Sequence, residues 1–202
     1  MLGLVETNTP AVMETHGGAG RLFRACYSDI QRGIVFEKDP EKSSLLAQQR
    51  PTWSVYECDC VTALRAGIGS HVQIDILDID PYGEPWPVLD AFLQSERPLA
   101  PTLFIVVNDG LRQKVRLSGG WNVHSLDAVV SRFGNKLASQ YLEVCEYLMK
   151  TKATEAGYHL SRFTGYYCGH GGQMTHYLAR LDRVKPPVTG RSRSVSRSHP
   201  TG

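Results

Sequence analysis

Between Val72 and Gly83, two acids, a proline, an aromatic ring and a glycine close an apolar run. Val72, Ile74, Ile76, Leu77 and Ile79 show neither strict alternation nor helical spacing, the pattern of a strand buried on both faces of a parallel sheet. Asp78, Asp80, Pro81 and Tyr82 then fall at its carboxyl end, where open α/β sheets bind ligands. The Asp80 carboxylate and the backbone carbonyl fixed beside Pro81 can both hold an amino group, and Tyr82 offers a flat face to a planar ring. The chemistry this predicts is substitution at an exocyclic amine. Asp-Pro-Tyr-Gly also makes a good turn that Asp78 or Asp80 would cap. The other strand ends favour chemistry.

Ala11–Glu14 reads as a first strand running into a loop with Gly17, Gly18 and Gly20, and glycines there let a ligand approach the backbone at a helix start. Glu37 closes the second strand, Gly33–Glu37, where an acid can accept hydrogen bonds from ribose hydroxyls. Asp59 follows a third strand, Trp53–Glu57. Taken singly these are a tight turn, a solvated acid and a helix cap. Three consecutive strand ends so equipped predict an adenosine-type ligand, with His16 beside it.

The elements that must hold these residues alternate strand and helix. Helices are predicted from Arg21 to about Ser28, over Lys42–Gln49 with Asp39 as cap and Pro40 at the first position, around Val61–Leu64 behind Asp59, and from about Val88 to Ser95. A fifth buried strand is Thr102–Val107. The longest helix is expected from about Asn135 to Ala156 with Gly157 as C-cap, then strands near His159–Tyr167 and Met174–Leu181 around Gly169–Gly172. The fold class is α/β: seven strands, mostly parallel, with a C-terminal antiparallel hairpin and helices on both faces. Residues 1–184 make one domain, and 185–202 a disordered basic Arg/Ser-rich tail.

Glu14 to Gly20, Val35 to Pro40, Glu57 to Asp59 and Asp78 to Gly83 together resemble the class I S-adenosylmethionine-dependent methyltransferases, with a Rossmann-like fold. The first loop lacks a full GxGxxG, and nothing resembles a GK[ST] phosphate loop. Asp80-Pro81-Tyr82 looks like the [DN]-P-P-[YF] element of amino-nitrogen methyltransferases. Asp78 to Pro87, with Leu89 and Asp90, resembles the DLDPFG element of the tRNA dimethylguanosine methyltransferases. The chain differs from those enzymes in being shorter, with little before its first strand and no counterpart of their C-terminal RNA-binding region. The resemblance implies S-adenosylmethionine as cofactor. It assigns methionine-side contacts to Glu14, His16, Gly17, Gly18 and Gly20, ribose to Glu37, adenine to Lys38 and Asp59, and counts Asp78 among the cofactor residues. Asp80, Pro81 and Tyr82 would take the target amine. The implied reaction is N-methylation of a base, in RNA ahead of DNA.

Composition bounds the alternatives. With 42% hydrophobic residues in 202, one sizeable core is expected. No run of about 18 apolar residues predicts a membrane span, and no secretory signal is visible. Five cysteines without a CxxC pair predict a reduced cytoplasmic protein with no metal. Lys185, Arg191, Arg193 and Arg197 carry the excess of positive charge, so the body of the chain is not basic. Arg112, Lys114 and Arg116, in a segment without clear helical pattern, could grip phosphates with Trp121 stacking a base, or form a solvated edge strand. His170 and His176 lack a third ligand. Two rival functions stand beside the leading one: methylation of a small-molecule or protein amine, and a non-catalytic methyltransferase-fold subunit. A homodimer or an accessory recognition subunit is left open.

Overall fold

A computed structural model describes residues 10–81, 83–118 and 123–184. Its strands are β1 (Ala11–Glu14), β2 (Arg32–Glu37), β3 (Ser54–Glu57), β4 (Ile76–Ile79), β5 (Thr102–Asp109), β6 (Tyr158–Cys168) and β7 (Met174–Arg183). They form one sheet in the order β3-β2-β1-β4-β5-β7-β6. The first five are parallel, and β7 pairs antiparallel with both β5 and β6. The chain turns back on itself between β1 and β4, which gives the sheet a topological switch point. The expected α/β class, mostly parallel seven-stranded sheet and antiparallel hairpin are all present.

The helices are α1 (Pro40–Gln49), α2 (Cys60–Arg65), α3 (Trp86–Gln94), α4 (Leu111–Ser118), α5 (Asp127–Phe133) and α6 (Tyr141–Glu155). Leu77, Ile79, Ile105 and Val107 point to the larger core, with α3, α5 and α6. Ile76 and Phe104 alternate to the other face, where Phe23, Tyr27 and Leu46 form a smaller cluster. Asp39 caps α1 through the N–H groups of Glu41 and Lys42, and Asp59 caps α2 through that of Thr62, as the sequence predicts. No helix among the described residues is long and apolar enough to cross a membrane.

Four expectations change. The strand expected from Val72 pairs only from Ile76, because Gly67 and Gly69 at positive φ turn the preceding chain and the Asp75 carboxylate takes the Ala11 N–H at 2.8 Å. The helix after the glycine loop widens into a π-helical turn at Phe23–Tyr27. This buries Phe23 and Tyr27 and leaves Ala25 and Cys26 exposed. The long helix is broken: Gly134, at φ 52°, opens a 3₁₀ turn, and α6 begins only at Tyr141. The segment with Arg112, Lys114 and Arg116 is helix α4, not an edge strand, anchored by Leu111 and Val115 one turn apart. Helix α5 had no expectation. Tyr82, Trp121 and the tail from Lys185 lie outside the described residues.

Candidate active site

The carboxyl ends of the parallel strands open into a cavity of about 520 Å³. After β1, Thr15, His16 and Gly18 line it; after β2, Glu37, Lys38 and Asp39; after β3, Cys58, Asp59 and Cys60. Asp80 and Pro81 enter from β4, Asn108 from β5 and Met174 from β7. Of the residues singled out in the sequence, His16, Gly18, Glu37, Lys38, Asp59, Asp80 and Pro81 therefore share one space.

Glu37 ties two of these loops together. One carboxylate oxygen accepts the Gly18 N–H at 2.7 Å and the other the Asp39 N–H at 3.0 Å. Each oxygen keeps a lone pair, so the carboxylate can still take hydroxyl donors. Gly18 sits at φ 52°, and a Cβ there would project into open space. Gly17 and Gly20 do not line the cavity but shape its loop. The Gly20 N–H closes a turn onto the Gly17 carbonyl at 3.0 Å. A Cβ on Gly17 would lie 2.5 Å from Leu46 Cδ1 and Val35 Cγ2, so only glycine lets the loop rest on α1.

His16 is pinned by its neighbours. Nδ1 lies 2.9 Å from Thr15 Oγ1 and Nε2 lies 3.8 Å from Cys60 Sγ. Burial lowers its pKa, outweighing the pull of Asp80 and Glu37, so the ring is neutral near pH 7. Burial also pushes the Cys60 thiol up to about 12, which leaves it unreactive. Asp59 Oδ1 is spent on capping α2 even as the residue lines the cavity. Asp80 Oδ1 accepts the Asn108 side-chain N–H at 2.5 Å, which fixes the carboxylate at the mouth of β4.

Glu14 and Asp78 point away from this space. They sit side by side in register on β1 and β4, both buried against the smaller core. Tyr27 donates its hydroxyl to Asp78 Oδ2 at 2.5 Å, and Arg50 pairs with Glu14. The guanidinium carbon of Arg50 lies 4.2 Å from the centre of the Phe23 ring and 5.1 Å from that of Trp53. Two buried carboxyls share one cation. Burial raises Asp78 to about 7, with Glu14 and Asp80 adding to the rise, and raises Glu14 to about 7 against the pull of Arg50. The cluster underpins the loop rather than lining it: the Asp78 backbone carbonyl accepts both the Thr15 N–H and its hydroxyl.

This cluster carries a stability prediction. Carboxyls raised on folding hold their protons more tightly in the native state. Their stabilising effect is complete below the ordinary values of 3.8 and 4.5 and is lost as pH rises through about 7. Asp78→Asn keeps the Tyr27 contact without a titrating charge. The free energy of unfolding from urea titration is expected to fall less between pH 5 and 8 in the variant than in the parent, by about 1 kcal/mol per pH unit at the steepest point. A parallel pH profile would contradict the assignment.

Arg112 and Arg116 brace the β6–β7 turn, and Arg116 remains exposed. Both donate to the turn between β6 and β7, Arg112 to the Gly172 carbonyl and Arg116 to that of Gly171 at 3.0 Å. Arg112 also lies 3.9 Å over the Tyr167 ring. Lys114 is exposed on the same helix. Sequence reasoning missed Asn108, although a polar residue closing the apolar strand beside β4 is the same signal that exposed Asp80. Arg50 and Tyr27 gave no such signal, since nothing local marks them for burial.

No protein-family model matches the chain. It is 28% identical over 93 residues, 46% of its length, to the tRNA (guanine(26)-N(2))-dimethyltransferase of Thermoplasma volcanium, and it covers only 27% of that enzyme. Its fold superposes on M. jannaschii TYW2, crystallised with AdoMet, with a TM-score of 0.56 at 13% identity, covering 91% of this chain and 73% of that one. The N-methyltransferase NodS of Bradyrhizobium japonicum WM9, in complex with S-adenosyl-L-homocysteine, gives 0.54 at 14% identity, covering 87% and 79%. The chain has the methyltransferase fold. At these identities the likeness to solved structures is one of fold alone.

Proposed function

We propose that the chain is an S-adenosylmethionine-dependent methyltransferase acting on an exocyclic amino nitrogen of a base in RNA. The observation that carries this reading is the placement of the Asp80 carboxylate at the end of β4, facing the same cavity as Gly18, Glu37 and Asp59. Four acids (Glu37, Asp39, Asp59 and Asp80) against Lys38 and Lys42 favour a ligand with positive charge, as a sulfonium carries. The open side of Gly18 and the spare lone pairs of Glu37 suit the aminoacyl and ribose parts of such a cofactor, with Lys38 and Asp59 beside its ring. The similarity to a tRNA guanine dimethyltransferase supports an amino group of a base as target and RNA as its carrier.

Bound S-adenosylmethionine supplies an electrophilic methyl group on sulfur. The protein's part is to make a poor nucleophile competent. The lone pair of an aromatic amine is delocalised into its ring. Accepting its N–H protons at Asp80 and at the Pro81 carbonyl would turn that lone pair toward the methyl group, and the carboxylate would offset positive charge developing on nitrogen. Tyr82 is the residue placed by sequence to stack the base.

Asn108 is a positioning residue in this scheme. Asn108→Ala removes the donor that orients Asp80, and the turnover number is expected to fall about tenfold with cofactor affinity unchanged. Asn108→Asp should fall further, because it sets a second carboxylate against the first. Equal rates for the parent and Asn108→Ala would remove Asn108 from the mechanism. The function itself is tested by incubating the protein with methyl-labelled S-adenosylmethionine and separate RNA, DNA and protein fractions. Label in RNA is expected; label in protein alone would overturn the reading.

A further inference from the structure

Alternation along the last three strands sorts their side chains cleanly between two faces. Phe163 of β6 and Tyr177, Ala179 and Leu181 of β7 pack into the large core with α6. The residues between them face the opposite side. There Asn108, His176 and Tyr166 are register partners on β5, β7 and β6, forming one row across the sheet.

The row starts at the candidate active site and ends in solvent. Asn108 holds Asp80, and Met174, two residues before His176, lines the cavity. At the far end Tyr166 is 62% exposed. Its ring stacks on that of His176 with centroids 5.4 Å apart and planes within 8°. At about 4.8 Å per strand, Tyr166 lies roughly 10 Å from Asn108, within reach of a neighbouring nucleotide.

Charge on this face matches an anion. Arg162 stands opposite Arg180 in the same register, about 13 Å further down from Tyr166. Like charges directly opposed across a ladder are unfavourable, and a bridging anion relieves that repulsion. Asp182 meets Arg180 at 3.1 Å, and Arg162 is exposed. A stacked ring pair with cations beyond it matches a base and its backbone phosphate.

We propose that this row is the track for single-stranded RNA entering the site, the nucleotide beside the target stacking on Tyr166 and His176 and its backbone running toward Arg162 and Arg180. The inference rests on the reading of the chain as an RNA base methyltransferase and adds the path its substrate takes. It uses the sheet face on which Asn108, His176 and Tyr166 lie in one row.

The test compares the parent, Tyr166→Ala, Tyr166→Phe and Arg162→Gln. Binding of a fluorescein-labelled, unstructured oligoribonucleotide of about twelve nucleotides is followed by anisotropy, and cofactor binding by calorimetry. Tyr166→Ala should weaken RNA binding about tenfold and raise KM for RNA with kcat kept. Tyr166→Phe should stay within about twofold of the parent, and cofactor affinity should not move in any variant. Arg162→Gln should weaken binding and flatten its salt dependence. If the parent methylates RNA and Tyr166→Ala binds and turns over equally well, the track is wrong and the function stands. If the parent neither binds nor methylates RNA, both fall. A change from dimer to monomer on sedimentation of Tyr166→Ala would make this face a protein interface and overturn the track as well.

Discussion

Asp80→Ala is expected to lower the rate of methyl transfer by on the order of 10² to 10⁴-fold while leaving cofactor affinity within about twofold of the parent. The separation follows from geometry. Asp80 enters the cavity from β4, whereas Gly18, Glu37 and Asp59 enter from the three strand ends on the other side of the switch point. Among the described residues the carboxylate bonds to the Asn108 side chain and not to the Gly18–Glu37–Asp39 clasp that organises the opposite wall. Removing it takes away the acceptor that would orient the amine and leaves that wall as it is. Asp80→Asn is the finer probe: an amide oxygen still accepts one N–H but carries no charge, so an intermediate rate is expected. Single-turnover transfer with calorimetric cofactor titration separates the two effects. Loss of cofactor affinity in Asp80→Ala would make the residue a cofactor ligand instead.

The second large effect concerns stability. Arg50 is 1% exposed and its ion pair with Glu14 is buried on both sides. Arg50→Met fills similar volume against Phe23 and Trp53 but strands the Glu14 carboxylate beside Asp78. A cost of about 3–5 kcal/mol is expected at pH 8, a large share of the roughly 5–15 kcal/mol that holds a domain folded. The cost should shrink at pH 5, where Glu14, raised to about 7, takes a proton. Adding Glu14→Gln to Arg50→Met should restore most of the loss at pH 8, because the stranded charge is then gone. Urea midpoints of the two single variants and the double variant at both pH values measure this. A cost independent of pH and not rescued by Glu14→Gln would show that Arg50 acts through packing on the aromatic rings alone.

What could be read from the sequence was whatever is written locally. Asp39 before Pro40 and Asp59 before an apolar turn announce their caps, and strands that end in a glycine loop, an acid and an acid announce a shared rim. Parallel order then carries those ends to one side of the sheet, which is why Glu37, Asp59 and Asp80 meet. The losses are long-range or depend on small differences in winding. Helix α4 was unread because only Leu111 and Val115 mark its buried face, and three cations on the rest blur the period. The π turn could not be foreseen, since one added residue per turn is what brings Tyr27 onto Asp78 and leaves Ala25 and Cys26 exposed. Glu14 and Asp78 lie at the strand ends where ligands bind, yet strand alternation points both into the protein, where Arg50 and Tyr27 meet them. Acids at neighbouring strand ends can thus serve the floor of a site rather than its cavity.

The most direct measurement is nucleoside analysis by mass spectrometry of RNA incubated with the protein and methyl-labelled S-adenosylmethionine, with Asp80→Ala in parallel. Label is expected on an exocyclic amino nitrogen of a base, present with the parent and absent with the variant. Label on ribose oxygen or ring carbon, or equal labelling by the two proteins, would contradict the proposed function.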